Sequence, residues 1–198
     1  MLLNRFEKAL MNNPVRAAVQ RYFEARRLYA LGGPLPGGHA LEIGCGRGVG
    51  TELVLERFGA RSVDAFDLDP HMVELAGRRL ARHGERVRLW VGDAERIEAP
   101  DATYDAVFDF GIIHHVPAWP KALAEIHRVL RPGGRFYAEE VLAAFVLHPV
   151  VRRFFDHPQE DRFDHARFVA ELGQAGFALV DTRVLWGGFG WYVADRPS

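Results

Sequence analysis

The chain has 198 residues, 48% of them apolar and 26% charged, and a formal charge of −1. That length suits one domain with a sizeable core. The balanced charge and the lack of a basic run argue against a nucleic-acid footprint. The single Cys45 excludes an intrachain disulfide and fits a reducing, cytoplasmic setting.

The start, Met1 to Lys8, lacks the continuous apolar core of a signal peptide. The uncharged run from Val141 is too short to span a bilayer. Leu3, Phe6 and Leu10 recur at helical spacing, Asn13-Pro14 breaks the helix, and Val15, Val19, Tyr22 and Phe23 continue the stripe. Leu31 to Gly38 is a Gly/Pro linker. Residues 1–38 therefore read as helices capping a site, and 39–198 as the main domain.

Ala40 to Gly50 then reads as an apolar strand entering a glycine-rich turn, with glycines at 44, 46, 48 and 50. Such a turn needs residues that accept positive φ and lack Cβ. A dinucleotide fingerprint starting at Gly44 needs a small residue at 49, where Val49 stands, and no triphosphate loop motif occurs. Glu42 interrupts the strand, and a buried carboxylate is costly unless something polar meets it. Cys45 reads as a small filler in the turn, not a nucleophile.

A second strand, Val63 to Asp67, precedes Asp69 as helix N-cap and Pro70 at the first helical position. Asp67, at the strand tip, is placed to accept ribose hydroxyls. Asp64 is read as pointing to an edge. A third strand, Val87 to Val91, ends in Gly92-Asp93-Ala94, and a fourth runs from Tyr104 to Phe110. Asp109 on it is either a pocket acid or packed against a helix. Ile112-Ile113-His114-His115-Val116 follows, then a helix ending in Arg128-Val129-Leu130-Arg131-Pro132-Gly133-Gly134. Strand five is Gly134 to Glu140. Residues 141–162, with Phe145, Leu147, Phe154 and Phe155, break the alternation and read as a mobile lid over an acceptor pocket, or as a satellite helix. Asp164 caps the next helix, with Phe163 and Phe168 as a hydrophobic staple and Gly176 as its C′ residue. Trp186-Gly187-Gly188 turns a closing hairpin. The alternation implies an α/β fold with a parallel sheet and helices on both faces.

Glu42-x-Gly44-x-Gly46-x-Gly48, the acid Asp67, Gly92-Asp93-Ala94, the His-His-Val segment and Arg-Pro-Gly-Gly occur in that order. Together they resemble the class I S-adenosylmethionine-dependent methyltransferases, in their small-molecule and lipid-quinone branch. The resemblance is close from 40 to about 140. It implies a Rossmann-like seven-stranded sheet of order 3-2-1-4-5-7-6 with strand 7 antiparallel. It implies S-adenosylmethionine as cofactor, S-adenosylhomocysteine as product and no metal. The implied cofactor set is Glu42 near the methionyl amino group, Gly44, Cys45, Gly46 and Gly48 beneath methionyl and ribose, Asp67 and Leu68, Asp93 and Ala94 by the adenine, and Phe110.

Methyl transfer from a sulfonium needs a base only for a protonated acceptor. His115 is the candidate, with Glu140 as its orienter or as a partner for a cationic acceptor; His114 is an alternative. The favoured acceptor is an apolar or aromatic small molecule. Two readings compete: a lipid or quinone enzyme at a membrane surface, and a cofactor binder without turnover.

Overall fold

The computed structural model describes residues 14–146 and 162–198. The stripe residues Leu3, Phe6 and Leu10, and most of the 141–162 segment, lie outside them.

The described chain opens with helix α1 (Pro14–Val19), a π-helical turn (Gln20–Glu24) and α2 (Ala25–Gly32). Strand β1 (His39–Ile43) leads to α3 (Val49–Leu53), and β2 (Ser62–Asp67) to α4 (Pro70–Leu80). Strands β3 (Val87–Val91) and β4 (Tyr104–Phe110) precede α5 (Trp119–Val129). Strand β5 (Leu130–Val141) begins earlier than the sequence implies, because Leu130 already pairs with Tyr104 across an irregular register. A single turn, α6 (Ala143–Val146), and helix α7 (His165–Gln174) follow. The hairpin is β6 (Ala178–Leu185) and β7 (Phe189–Asp195).

The sheet order is β3-β2-β1-β4-β5-β7-β6, with β7 antiparallel to both neighbours. The central strands are buried on both faces, as a parallel sheet covered by helices requires. One face carries Leu41, Ile43, Val107 and Phe136 against α5 and α7; the other carries Ala40, Val63, Phe108 and Tyr137 against α2, α3 and α4. The bidentate Arg135–Asp195 pair, at 2.7 and 2.8 Å, joins residues that face each other across β5 and β7 and so pins their register. The hairpin turns through Trp186 and Gly187, both at positive φ.

Asp64 does not point to an edge. It lies on an interior strand, buried, where its carboxylate accepts from the Tyr104 hydroxyl at 3.0 Å and approaches His39. These partners hold its pKa below the usual carboxylate range despite burial.

The helix signals at Asp69 and Asp164 are realised. Asp69 Oδ1 accepts from His71 N at 2.9 Å, and Asp164 Oδ1 from Arg167 N at 2.8 Å. The Phe163 and Phe168 rings lie 4.8 Å apart, completing the staple. Asp69→Ala should lower unfolding free energy by about 0.5–2 kcal/mol through loss of the cap. Urea unfolding of the two proteins measures it.

Candidate active site at the carboxyl edge of the sheet

Strand β1 ends at Ile43, and the chain then turns through three glycines at positive φ: Gly44 at 65°, Gly46 at 50° and Gly48 at 79°. A Cβ on Gly44 meets the Ile112 side chain at 2.4 Å, whereas a Cβ on Gly46 meets nothing within 4 Å. Gly44 is therefore small because protein fills the space. Gly46 instead borders open space, where a side chain would intrude on a ligand. Gly50 has a different reason for its size: a Cβ there would lie 1.9 Å from Glu42 Oε1. Cys45 is buried, and burial pushes its thiol pKa up, which fits a packing role.

Asp67, at the tip of β2, is tied down on both oxygens. Oδ2 accepts from Gly46 N at 2.8 Å, and Oδ1 from Asp69 N at 2.9 Å. One carboxylate thus joins the glycine turn to the cap of α4. A carboxylate oxygen can accept more than one hydrogen bond. Glu42 is buried under the same turn, and accepts from the Thr51 hydroxyl. Burial pushes its carboxyl up to about 8, opposed by that hydrogen bond and reinforced by Asp67 and Asp109. Asp93 is exposed and accepts from Glu95 N at 2.9 Å; Ala94 is buried behind it. Leu68 is exposed and Phe110 buried. The residues singled out from the motifs therefore lie along the carboxyl edge of the sheet from β3 across β2 and β1 to β4. That is the crevice in which open α/β sheets bind ligands.

This set fits an adenosyl sulfonium. It offers open space over Gly46, a carboxylate at the β2 tip for vicinal hydroxyls, and a buried acid that becomes more readily ionised beside a cation.

The turn after β4 holds Ile113 to His115 in a single 3-10 turn. Glu140, fully buried, accepts from Ile113 N at 2.8 Å and His114 N at 3.2 Å, and its Oε2 lies 2.6 Å from His114 Nδ1. The expectation that Glu140 orients His115 is therefore corrected: it orients His114. The reason is the alternation of β5 and the tightness of the turn, which aim Glu140 at the buried ring. The His115 ring packs against that of His114 with centroids 4.1 Å apart and planes tilted by 40°, and is the less buried of the two. Asp109, also fully buried, accepts from Ile112 N at Oδ1, at 2.9 Å. It faces Glu140, and burial together with that neighbour holds its pKa well above the carboxylate range. Burial also pushes the Glu140 carboxyl up to about 7, opposed by its hydrogen bonds with Asp109 and with the Ile113 and His114 N–H groups. Arg162 donates to the His114 carbonyl.

Two features escaped sequence reasoning. Thr51, the partner of Glu42, sits nine residues on in α3, and its spacing to the acid carries no recognised signal. Glu139 is as buried as Glu140, on the opposite face. A Glu-Glu pair at a strand end reads equally well as solvated. Elsewhere, Glu52, Glu56 and His83 come within ligand distance of one another. Arg21, Arg79 and Arg82 already pair with Glu52, so this is an ion-pair network with its cations supplied by the protein.

Residues 40–134 match a family model described as a methyltransferase domain. Malonyl-[acyl-carrier protein] O-methyltransferase of Serratia marcescens is 36% identical over 129 residues, covering 65% of this chain and 48% of that protein. Demethylmenaquinone methyltransferase of Symbiobacterium thermophilum is 34% identical over 113 residues, covering 56% and 45%. The chain thus spans about half the length of these curated relatives. Among solved structures, a chain from the complex of the Haloferax volcanii Trm112 methyltransferase activator with a methyltransferase superposes with a TM-score of 0.82. It is 17% identical, with 100% of both chains covered.

The raised pKa of Glu42 sets a sign for stability. Between about 4.5, its ordinary value, and about 8, the folded state keeps a proton that the unfolded chain has released. Glu42 therefore erodes stability as pH rises through that window. Glu42→Gln retains an acceptor for Thr51 and cannot ionise, so its stability relative to the parent should rise from pH 5 to pH 8. Urea midpoints at the two pH values measure this; an unchanged difference contradicts it.

Proposed function

We propose that the chain is a class I S-adenosylmethionine-dependent methyltransferase and that it methylates an apolar or aromatic small molecule. S-adenosylmethionine, when bound, supplies an activated methyl group on a sulfonium leaving group. The observation that carries the reading is the open space over Gly46, with the Asp67 carboxylate bound to its N–H and Glu42 buried nearby at the end of β1.

The division of labour follows from the chemistry. Asp67 holds the ribose hydroxyls, with its own position fixed by two backbone N–H groups. Asp93 and Ala94 border the adenine end. Cys45, Leu68 and Phe110 provide packing, and Glu42 offers negative charge to the amino and sulfonium end. The leaving group is already good, so the protein's contribution is alignment and exclusion of water, worth up to about 7–11 kcal/mol at near-attack geometry. If the acceptor arrives as a phenol or alcohol, His115 takes its proton. His114 is the fixed floor beneath that ring, and Glu140 is a positioning residue acting through His114. The segment 141–162 as a cover over the acceptor remains part of this proposal.

A second reading, delivery of a lipid or quinone at a membrane surface, has its own observation. Val15, Val19, Tyr22 and Phe23 are exposed by 71%, 41%, 68% and 38%, and they recur at helical spacing on one stripe. Such a stripe suits an interfacial helix, and the menaquinone relative acts on a quinone by its name. No helix among the described residues is long and apolar enough to cross a membrane. Co-sedimentation with anionic liposomes separates the readings: binding lost in Val19→Ser/Tyr22→Ser favours the surface enzyme, and no binding favours the small-molecule enzyme.

Two results test the proposal itself. Asp67→Ala should weaken S-adenosylhomocysteine binding by about 1.5–3 kcal/mol, while Asp69→Ala weakens it less; titration calorimetry reads both. With an O–H acceptor, His115→Ala should reduce turnover about 10²–10⁴-fold at nearly unchanged cofactor affinity. Near-parental turnover would show that positioning alone suffices.

A further inference from the structure

Buried polar atoms without a hydrogen-bond partner are few in folded proteins, and each needs a reason. Three of them cluster at one place here, away from His115 and Glu140. Glu139 Oε2, Trp191 Nε1 and Arg27 Nε are all buried without a partner among the described residues.

Their placement follows from register. Phe110 on β4 pairs with Glu139 on β5, and Glu139 pairs with Trp191 on β7. Directly paired residues share a face, with Cβ atoms about 4.5–5.5 Å apart in an antiparallel ladder. Asp109 pairs with Ile43, so Phe110 stands level with Gly44, where the glycine turn begins. The row Phe110, Glu139, Trp191 thus leads along the carboxyl edge away from the glycine turn. The N-terminal helices roof it. Arg27 stacks on Phe23 at 3.4 Å and lies 5.0 Å from the Trp191 ring, and Phe23 meets that ring edge-on at 5.9 Å. Glu24, paired with Arg16, stands beside Glu139. Phe23 and Glu24 come from the π-helical turn, a feature frequent at functional sites.

We propose that Glu139, Trp191 and Arg27 form an anchor for a hydroxyl group of the methyl acceptor. A hydroxyl is the group that answers all three: it donates to Glu139 Oε2, and its oxygen accepts from Trp191 Nε1 and Arg27 Nε. The aromatic surfaces of Phe110, Phe23 and Trp191 suit the ring or chain that carries it. Glu139 and Trp191 are specificity determinants in this account, selecting hydroxylated apolar acceptors over their hydrocarbon counterparts. The inference rests on the methyltransferase reading, which places the acceptor next to the cofactor.

The probes are p-cresol and p-xylene, which differ by a hydroxyl in place of a methyl. Their binding is measured by calorimetry to the parent, Trp191→Phe and Glu139→Leu, with and without S-adenosylhomocysteine. The parent should prefer p-cresol by about tenfold or more, since a site built for a hydroxyl rejects the analogue lacking it. Each variant should bring that ratio to within about twofold, with p-xylene affinity retained. Equal affinities in the parent, absence of p-cresol binding, or an undiminished ratio in Glu139→Leu overturns the anchor. Failure of S-adenosylhomocysteine to bind overturns the cofactor reading instead, and is seen separately. Thermal unfolding shows which variants fold; if Trp191→Phe does not, the parent ratio and Glu139→Leu still decide.

Discussion

The carboxylate of Asp67 fastens the tip of β2 to two other pieces of chain. It accepts from Gly46 in the glycine turn and from Asp69 at the cap of α4. Remove that brace and the turn loses its hold on the neighbouring strand, and the helix start loses its alignment. Charge-assisted hydrogen bonds to backbone N–H groups are among the stronger ones available. The open space over Gly46 exists because this carboxylate holds the turn's backbone without any side chain from the turn itself.

Acidic groups collect along the same edge on both faces of the sheet. Glu42 and Glu139 stand on one face, Asp109 and Glu140 on the other, all buried. Burying carboxylates is costly, and each is handled differently. Glu42 has a hydroxyl partner, Asp109 accepts from Ile112 N beside Glu140, Glu140 has N–H donors and an imidazole, and Glu139 shares its surroundings with Glu24 and Arg16. The result is an edge whose glycine turn suits a cation. A sulfonium is such a cation, and its charge is lost when the methyl leaves.

The strand alternation, glycine turn, capping acids and closing hairpin were legible because each has a local cause. Glycine supplies positive φ, Asp69 and Asp164 satisfy exposed N–H groups, and apolar runs mark buried parallel strands. The strand order came from a resemblance, and spacing alone does not yield it. What failed to show was long-range and mutual. Asp64 looked like an edge residue because its partner Tyr104 is forty positions away. Glu140 was matched to the wrong histidine because two adjacent imidazoles in a tight turn face different ways. Glu139 gave no signal, since its neighbours come from β7 and from the N-terminal helix. The proposed lid falls almost entirely outside the described residues.

The most direct test is a crystal structure with S-adenosylhomocysteine bound. The account predicts the adenosyl group over Gly46, both ribose hydroxyls within hydrogen-bond distance of the Asp67 carboxylate, and the sulfur on the side of Glu42 and Phe110. A ligand bound elsewhere, or ribose hydroxyls held by other groups and out of reach of Asp67, would contradict it.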